Sequence, residues 1–266
     1  MTVIQRRILY FFLLSYAFTW FGWLGNWLAP SDYWPLPMNP LGPLMAAPLV
    51  IWLTEGGAGV RAWLRRIGRF RAPVSVYATA IVVPLGIIFV SMATAAASGA
   101  VMRPVPEVGL AEFLIMVPII LLFGPLPEEV SFRGYGQVAM QQEMSPLATA
   151  LLIGVGVVIW HAPLIVIGAM AWPWMICIVA VSVVYAWLYN VGGSVWPLVL
   201  LHFTVNYFGG EFLGQVVSEQ HTQVLYAGVY CLLYVAWATA IYGRHGKQLG
   251  RERRAATLGA ATAPIA

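Results

Sequence analysis

Charge is scarce in this 266-residue chain: Asp, Glu, Lys and Arg make up 9% of it, against 61% hydrophobic residues. A soluble domain carries about 25% charged residues. A soluble core of this length cannot hide so much apolar surface, so a water-soluble globular protein is excluded and an all-α, polytopic membrane protein is expected. Cysteine is nearly missing as well. Cys177 and Cys231 are the only two, both within apolar runs, which excludes a disulfide framework or a CxxC motif; both read as reduced packing residues. HExxH, the strongest signal of a zinc protease, is also absent. The net charge of +4 does not point to nucleic acid, because the basic residues gather at the ends of apolar runs, where they set membrane orientation.

What is present is a series of apolar runs. A helix needs about 20 apolar residues to cross the hydrocarbon layer. Eight segments are read as spans, at roughly 7–29, 39–56, 74–98, 112–140, 146–169, 172–190, 194–214 and 222–243. The first is too long for a signal-peptide core and no small-residue cleavage site follows it, so it is expected to be retained. Arg6 and Arg7, the group Arg61, Arg65, Arg66, Arg69 and Arg71, and the group Arg244, Lys247, Arg251, Arg253 and Arg254 all fall on one side of an eight-span bundle. Only Arg103 falls opposite, and Arg133 lies inside a span. The bias puts both termini in the cytoplasm. Residues 1–246 are expected to form one transmembrane domain. Residues 247–266, basic and then Ala-rich, are expected to be a disordered tail at the anionic lipid surface. The 12 Trp and 12 Tyr need no function beyond the aromatic belts at the two membrane interfaces.

Ionisable groups within spans are costly and face the bundle interior or a wet cavity. They are few: Glu128, Glu129 and Arg133 in the fourth span, His161 in the fifth, and His202 with Asn206 in the seventh, near whose outer end Glu211 also lies. His221 and His245 fall outside the spans and are given no role. Glu129 and Arg133 stand at i, i+4 with the acid first, the favourable order for a helical ion pair. Glu128 projects about 100° away from Glu129, so Arg133 can neutralise one carboxylate and leave the other free. His202 and Asn206 are also at i, i+4 and share a face. At a rise of about 1.5 Å per residue, Glu128, His161 and His202 lie roughly 18, 22 and 12 Å from the cytoplasmic ends of their spans. Three helices can therefore deliver them to one cavity.

Taken singly, each group has a packing explanation: a buried ion pair, a histidine bonded to a carbonyl before the Ala-Pro of "WHAP", an amide bridging helices. Taken together they suit the activation of water. Either a Glu is the general base directly, or Glu and His, as Glu128, His161 and His202, hold a divalent metal such as zinc that acidifies the water. A His and an Asn amide can donate to a developing oxyanion. The residues alone leave both routes open.

The motifs "EEVSFR", "VVIWH" and "HFTVN", in that order and on helices, resemble the EExxxR, FxxxH and HxxxN motifs of the CPBP intramembrane proteases. That family comprises type II CAAX prenyl endopeptidases and bacteriocin-processing or immunity relatives. The flanking "EEVSFRGYGQ" and "GGSVWPLVLLH" are similar too, and the likeness covers roughly residues 112–210. It implies an eight-helix bundle and peptide-bond hydrolysis, with Glu128 and His161 activating water, His202 and Asn206 at the oxyanion, and Glu129 and Arg133 supporting them. The substrate implied is a peptide or a lipidated protein, and the place a cell membrane of bacterial or archaeal type. The one departure is Val157, where the motif has Phe; this packing position one turn before His161 bears on substrate fit rather than on hydrolysis. Two other readings stand beside the protease: a non-catalytic immunity or adaptor protein that keeps the cluster as packing, and an ion-coupled transporter.

Overall fold

A computed structural model describes residues 1–28, 39–104, 107–212, 216 and 220–252 of the chain. For Asn26, Glu211, Phe212 and 220–223 the backbone alone is described, so the side chains of Glu211 and His221 lie outside the described residues, as do Arg253, Arg254 and residues 255–266.

The described residues are almost wholly helical. The long elements are α1 (Val3–Leu28), α2 (Gly42–Ile67), α3 (Val74–Ala97) and α4 (Leu110–Phe123). A single turn, α5 (Pro125–Glu128), leads into a π-helix at Glu129–Gln137 and a last turn, α6 (Val138–Met140). There follow α7 (Pro146–Trp160), the short α8 (Ala162–Val166), α9 (Pro173–Gly192) and α10 (Trp196–Thr204). The tenth helix passes into a second π-helix at Val205–Phe212, and α11 (Gln220–His245) follows. Local sequence explains several ends. Pro146 and Pro173 occupy first-turn positions, where a missing N–H costs nothing. Ser145 caps α7 by accepting from the Ala148 amide. Gly193, at φ 70°, closes α9 in the left-handed conformation.

Six helical segments among the described residues are long and apolar enough to cross a membrane: Val3–Gly25, Gly42–Ile67, Val74–Ala97, Leu110–Met140, Pro173–Gly192 and Val224–Gln248. The runs read from the sequence as the fifth and seventh spans take another form. The fifth is α7, which stops at Trp160 ahead of Pro163, and the seventh is α10 continued by a π-helix. Gly56 breaks α2 at φ 66°, ψ −168°, and the helix then continues to Ile67, so Arg61, Arg65 and Arg66, expected in a loop, are helical. Of the expected tail, Leu249 and Gly250 are buried and Arg251 Nη1 donates to Gln141 O, whereas Lys247 and Glu252 are exposed.

Helix α1 packs on α2, α7 on α9, α9 on α11, and α3 on both α10 and α11. Phe11, Phe132 and Trp160 are fully buried. They meet edge to face, Phe11 to Phe132 at 5.6 Å and Phe132 to Trp160 at 6.0 Å between ring centroids, a geometry that favours aromatic pairs. These contacts tie the first π-helix to α1 and to the end of α7, the two places from which the acids and His161 project. Phe21, Phe89, Leu114, Ile176 and Leu232 instead point outward. Apolar outer surface on this scale, with the backbone hydrogen-bonded within helices, is that of a multi-pass integral membrane protein.

Candidate active site

The first π-helix is entirely buried. Its register leaves backbone carbonyls that α2 satisfies: Trp63 Nε1 donates to Val130 O at 3.2 Å, and Arg66 Nη1 to Gly134 O at 3.1 Å. Gly134 permits this approach, since a Cβ there would lie 2.9 Å from Ile67 Cγ2. π-Helical segments occur disproportionately at functional sites, and here the segment carries Glu129 and Arg133.

Arg133 lies at the centre of the polar cluster. Nη1 donates to Glu129 Oε1 at 3.2 Å, Nη2 donates to Ser182 Oγ at 3.1 Å, and Cζ sits 4.5 Å from the Tyr185 ring centroid. The expected i, i+4 pair thus forms, between side chains that are 3% and 0% exposed. His202 Nδ1 donates to the same Glu129 Oε1 at 2.9 Å. Glu129 Oε2 is buried with no partner among the described residues, an orphaned polar atom of a kind that is uncommon in a folded interior. Glu128 is also buried, and among the described residues its carboxylate accepts no hydrogen bond. Of the two acids, Glu129 is held by Arg133 and Glu128 is not hydrogen-bonded among the described residues.

His161 ends α7. Its Nδ1 lies 2.9 Å from Val157 O; a carbonyl only accepts, so Nδ1 carries the proton and a neutral ring keeps its lone pair on Nε2. The Trp160 indole meets the His161 ring edge to face at 4.6 Å. Trp160 is in turn held by α1, its Nε1 donating to Thr19 Oγ1 at 2.6 Å and its carbonyl accepting from Trp20 Nε1 at 3.0 Å. Asn206, on the second π-helix, faces the break between α4 and α5, where a Cβ on Gly124 would stand 3.0 Å from Asn206 Nδ2.

Glu128, Glu129, Arg133, His161, His202 and Asn206 all line one cavity of about 350 Å³. Its other walls include side chains that sequence reading did not single out: Ser182 and Tyr185 on α9 beside Arg133, and Trp174, Tyr230 and Tyr234 on the apolar side. Ser182 and Tyr185 left a signal in "VAVSVVYAW", two polar groups on an otherwise apolar helix. The aromatic residues left none, because interfacial belts use the same residue types. Among the described residues, no group of three or more His, Cys, Asp or Glu is arranged to hold a metal ion. Glu129 Oε1 and His202 Nδ1 are already bonded to each other.

These features define a multi-pass membrane protein with a buried acid–histidine cavity. Residues 110–208 match the type II CAAX prenyl endopeptidase Rce1-like family, a family of proteases, and the matched stretch contains all six polar residues. No curated protein matches the chain.

Proposed function

We propose that the chain is an intramembrane endopeptidase that hydrolyses a peptide bond of a CAAX-type or other small peptide substrate, using water activated by Glu128 and His161. The observation that carries this reading is the convergence of Glu128, His161, His202 and Asn206, from three separate stretches of the fold, on one cavity. Glu128 is the general base: a carboxylate in a confined site with no competing donor takes a proton from water. His161, tautomer fixed by Val157 O, offers Nε2 to orient the same water. As the carbonyl carbon is attacked, its oxygen gains negative charge. The Asn206 amide and His202 Nε2 are the donors for that oxyanion. Because His202 Nδ1–H is already committed to Glu129, Nε2 donates only when the ring is an imidazolium, and the Glu129 carboxylate is its counter-ion. Arg133 holds the Glu129 carboxylate in place. The clustering of basic residues supports placing both termini in the cytoplasm.

The test is cleavage of prenylated and unprenylated C-terminal peptides by the purified chain, with and without chelator. Glu128→Ala is expected to insert and melt like the parent and to lose cleavage by about a thousandfold or more. Parental cleavage by that variant overturns the assignment and favours the non-catalytic adaptor. Loss of activity on chelation, restored by zinc, would transfer water activation to a metal that draws Glu128, His161 and His202 together.

A further inference from the structure

At the end of the bundle where α2, α6, α9 and α11 terminate, a second polar cavity of about 270 Å³ is lined by Arg66, Arg69, Arg251, Gln141, Asn190 and Tyr189, among others. We propose that it binds a phosphate group, the shared chemistry of an anionic phospholipid headgroup and of a free phosphate compound.

Arg66, Arg69 and Arg251 line one space, the last two of them exposed, and no Asp or Glu is among its lining residues. Holding like charges together is unfavourable without an anion between them. One ordinary explanation is that the arginines satisfy backbone carbonyls, and two of them do so in part: Arg66 Nη1 donates to Gly134 O within the π-helix at 3.1 Å and Arg251 Nη1 to Gln141 O at the end of α6 at 2.7 Å. Each arginine has five N–H donors, so these bonds use only a fraction of the set. The Arg69 guanidinium makes no hydrogen bond to any described residue.

An independent observation points to a ligand. Gln141 is 8% exposed, and its Nε2 has no partner among the described residues. A buried amide donor left unpaired is costly, and the missing acceptor is what a ligand oxygen supplies. The Asn190 amide is by contrast already used, its nitrogen donating to Leu249 O and its oxygen accepting from Gln137. Arg251 is also held in place deliberately. Leu249 at φ 44° and Gly250 at φ 79° turn the chain back onto α9, where a Cβ on Gly250 would lie 2.6 Å from Val191 Cγ1. A non-glycine residue in the left-handed region carries a cost that its surroundings must offset.

Three forked donors with an amide exceed what the two oxygens of a carboxylate accept, and suit a tetrahedral phosphate. The position agrees, since this is the end of the bundle that gathers the basic residues, the level at which lipid headgroups lie.

The full chain, purified in a neutral detergent, is titrated with inorganic phosphate at constant ionic strength held by chloride, and separately with phosphatidylglycerol against phosphatidylcholine. Saturable binding is followed by calorimetry and native mass spectrometry. Binding of at least one phosphate probe is expected, weakened at least about tenfold by R69A/R251A. Binding of phosphatidylglycerol alone assigns the site to a lipid headgroup, and binding of inorganic phosphate identifies a soluble ligand. Arg69→Ala alone, which removes a guanidinium with no hydrogen bond to any described residue, serves if the double variant does not fold. Failure of both probes to bind saturably, or binding that ignores these substitutions, overturns the proposal. So does equal binding of phosphatidylcholine.

Discussion

His202 Nδ1 donates to Glu129 Oε1 at 2.9 Å, joining α10 to the first π-helix through a carboxylate that is fully buried. The contact commits Nδ1 of His202 and leaves Nε2, and in the proposed reaction it sets a carboxylate beside the ring as counter-charge. Glu129→Gln keeps an oxygen for His202 but removes that charge. It is expected to lower kcat on a cleavable peptide by about a hundredfold. Because Glu129 acts through His202, Glu129→Gln combined with His202→Ala should be little worse than the poorer single variant. Losses that simply multiply, in a cycle of four kinetic measurements, would show that the two side chains act independently.

Arg133 is held from α9 by Ser182 and Tyr185 as well as by Glu129. Arg133→Ala leaves a buried carboxylate without its cation and is expected to cost about 3–5 kcal/mol of stability. Ser182→Ala removes a single hydrogen bond to a charged group, about 1.5–3 kcal/mol, and should lower the melting temperature less than Arg133→Ala does. Arg133→Lys cannot reach Glu129 and Ser182 with one fork and should behave closer to Ala than to Arg. Thermal unfolding in detergent ranks the three. If Lys matched Arg, the forked geometry would be irrelevant.

The helical class, and the grouping of Glu128, Glu129, Arg133, His161, His202 and Asn206, were legible in the sequence because each rests on a short-range rule: apolar run length, i, i+4 spacing, and the rarity of ions in spans. What was not legible depends on register and on partners distant in the chain. An α-helical wheel turns Glu128 away from Glu129, whereas both line the cavity, because the chain breaks at Gly124 and passes into a π-helix at Glu129. No local signal announces that register; its carbonyls are satisfied by Trp63 and Arg66, more than 60 residues earlier. The extension of α2 past Gly56 was hidden for a similar reason, since five arginines read as a loop until Arg66 is seen to donate to Gly134 O.

Gly124 gives a sharper test of shape. Its backbone, at φ −151° and ψ −89°, is not helical, and an added methyl would meet Asn206 Nδ2 at 3.0 Å. Gly124→Ala is therefore expected to displace the Asn206 amide by a few tenths of an ångström. The cost to stability is about 1–3 kcal/mol, but the greater loss should fall on kcat, because oxyanion donors act only when correctly placed. Asn206→Ala sets the floor. Gly124→Ala should approach that floor in kcat while Asn206→Ala melts close to the parent. Unchanged kcat in Gly124→Ala would remove Asn206 from the reaction.

Val157 concerns the substrate rather than the chemistry. It lines the cavity, is 4% exposed, and offers its carbonyl to His161 Nδ1. Val157→Phe leaves that carbonyl in place and adds a ring to a cavity of about 350 Å³. On the proposed reading, the space lost is space for the substrate residue beside the scissile bond. KM is therefore expected to rise several-fold for peptides with bulky apolar residues there and to change little for those with alanine, with kcat for the alanine peptides within about twofold of the parent. A paired peptide series read as kcat/KM distinguishes this from a packing defect. A uniform fall in kcat across the series, with KM unchanged, would mean that the ring disturbs His161 instead, and Val157 would then belong to the positioning of that imidazole.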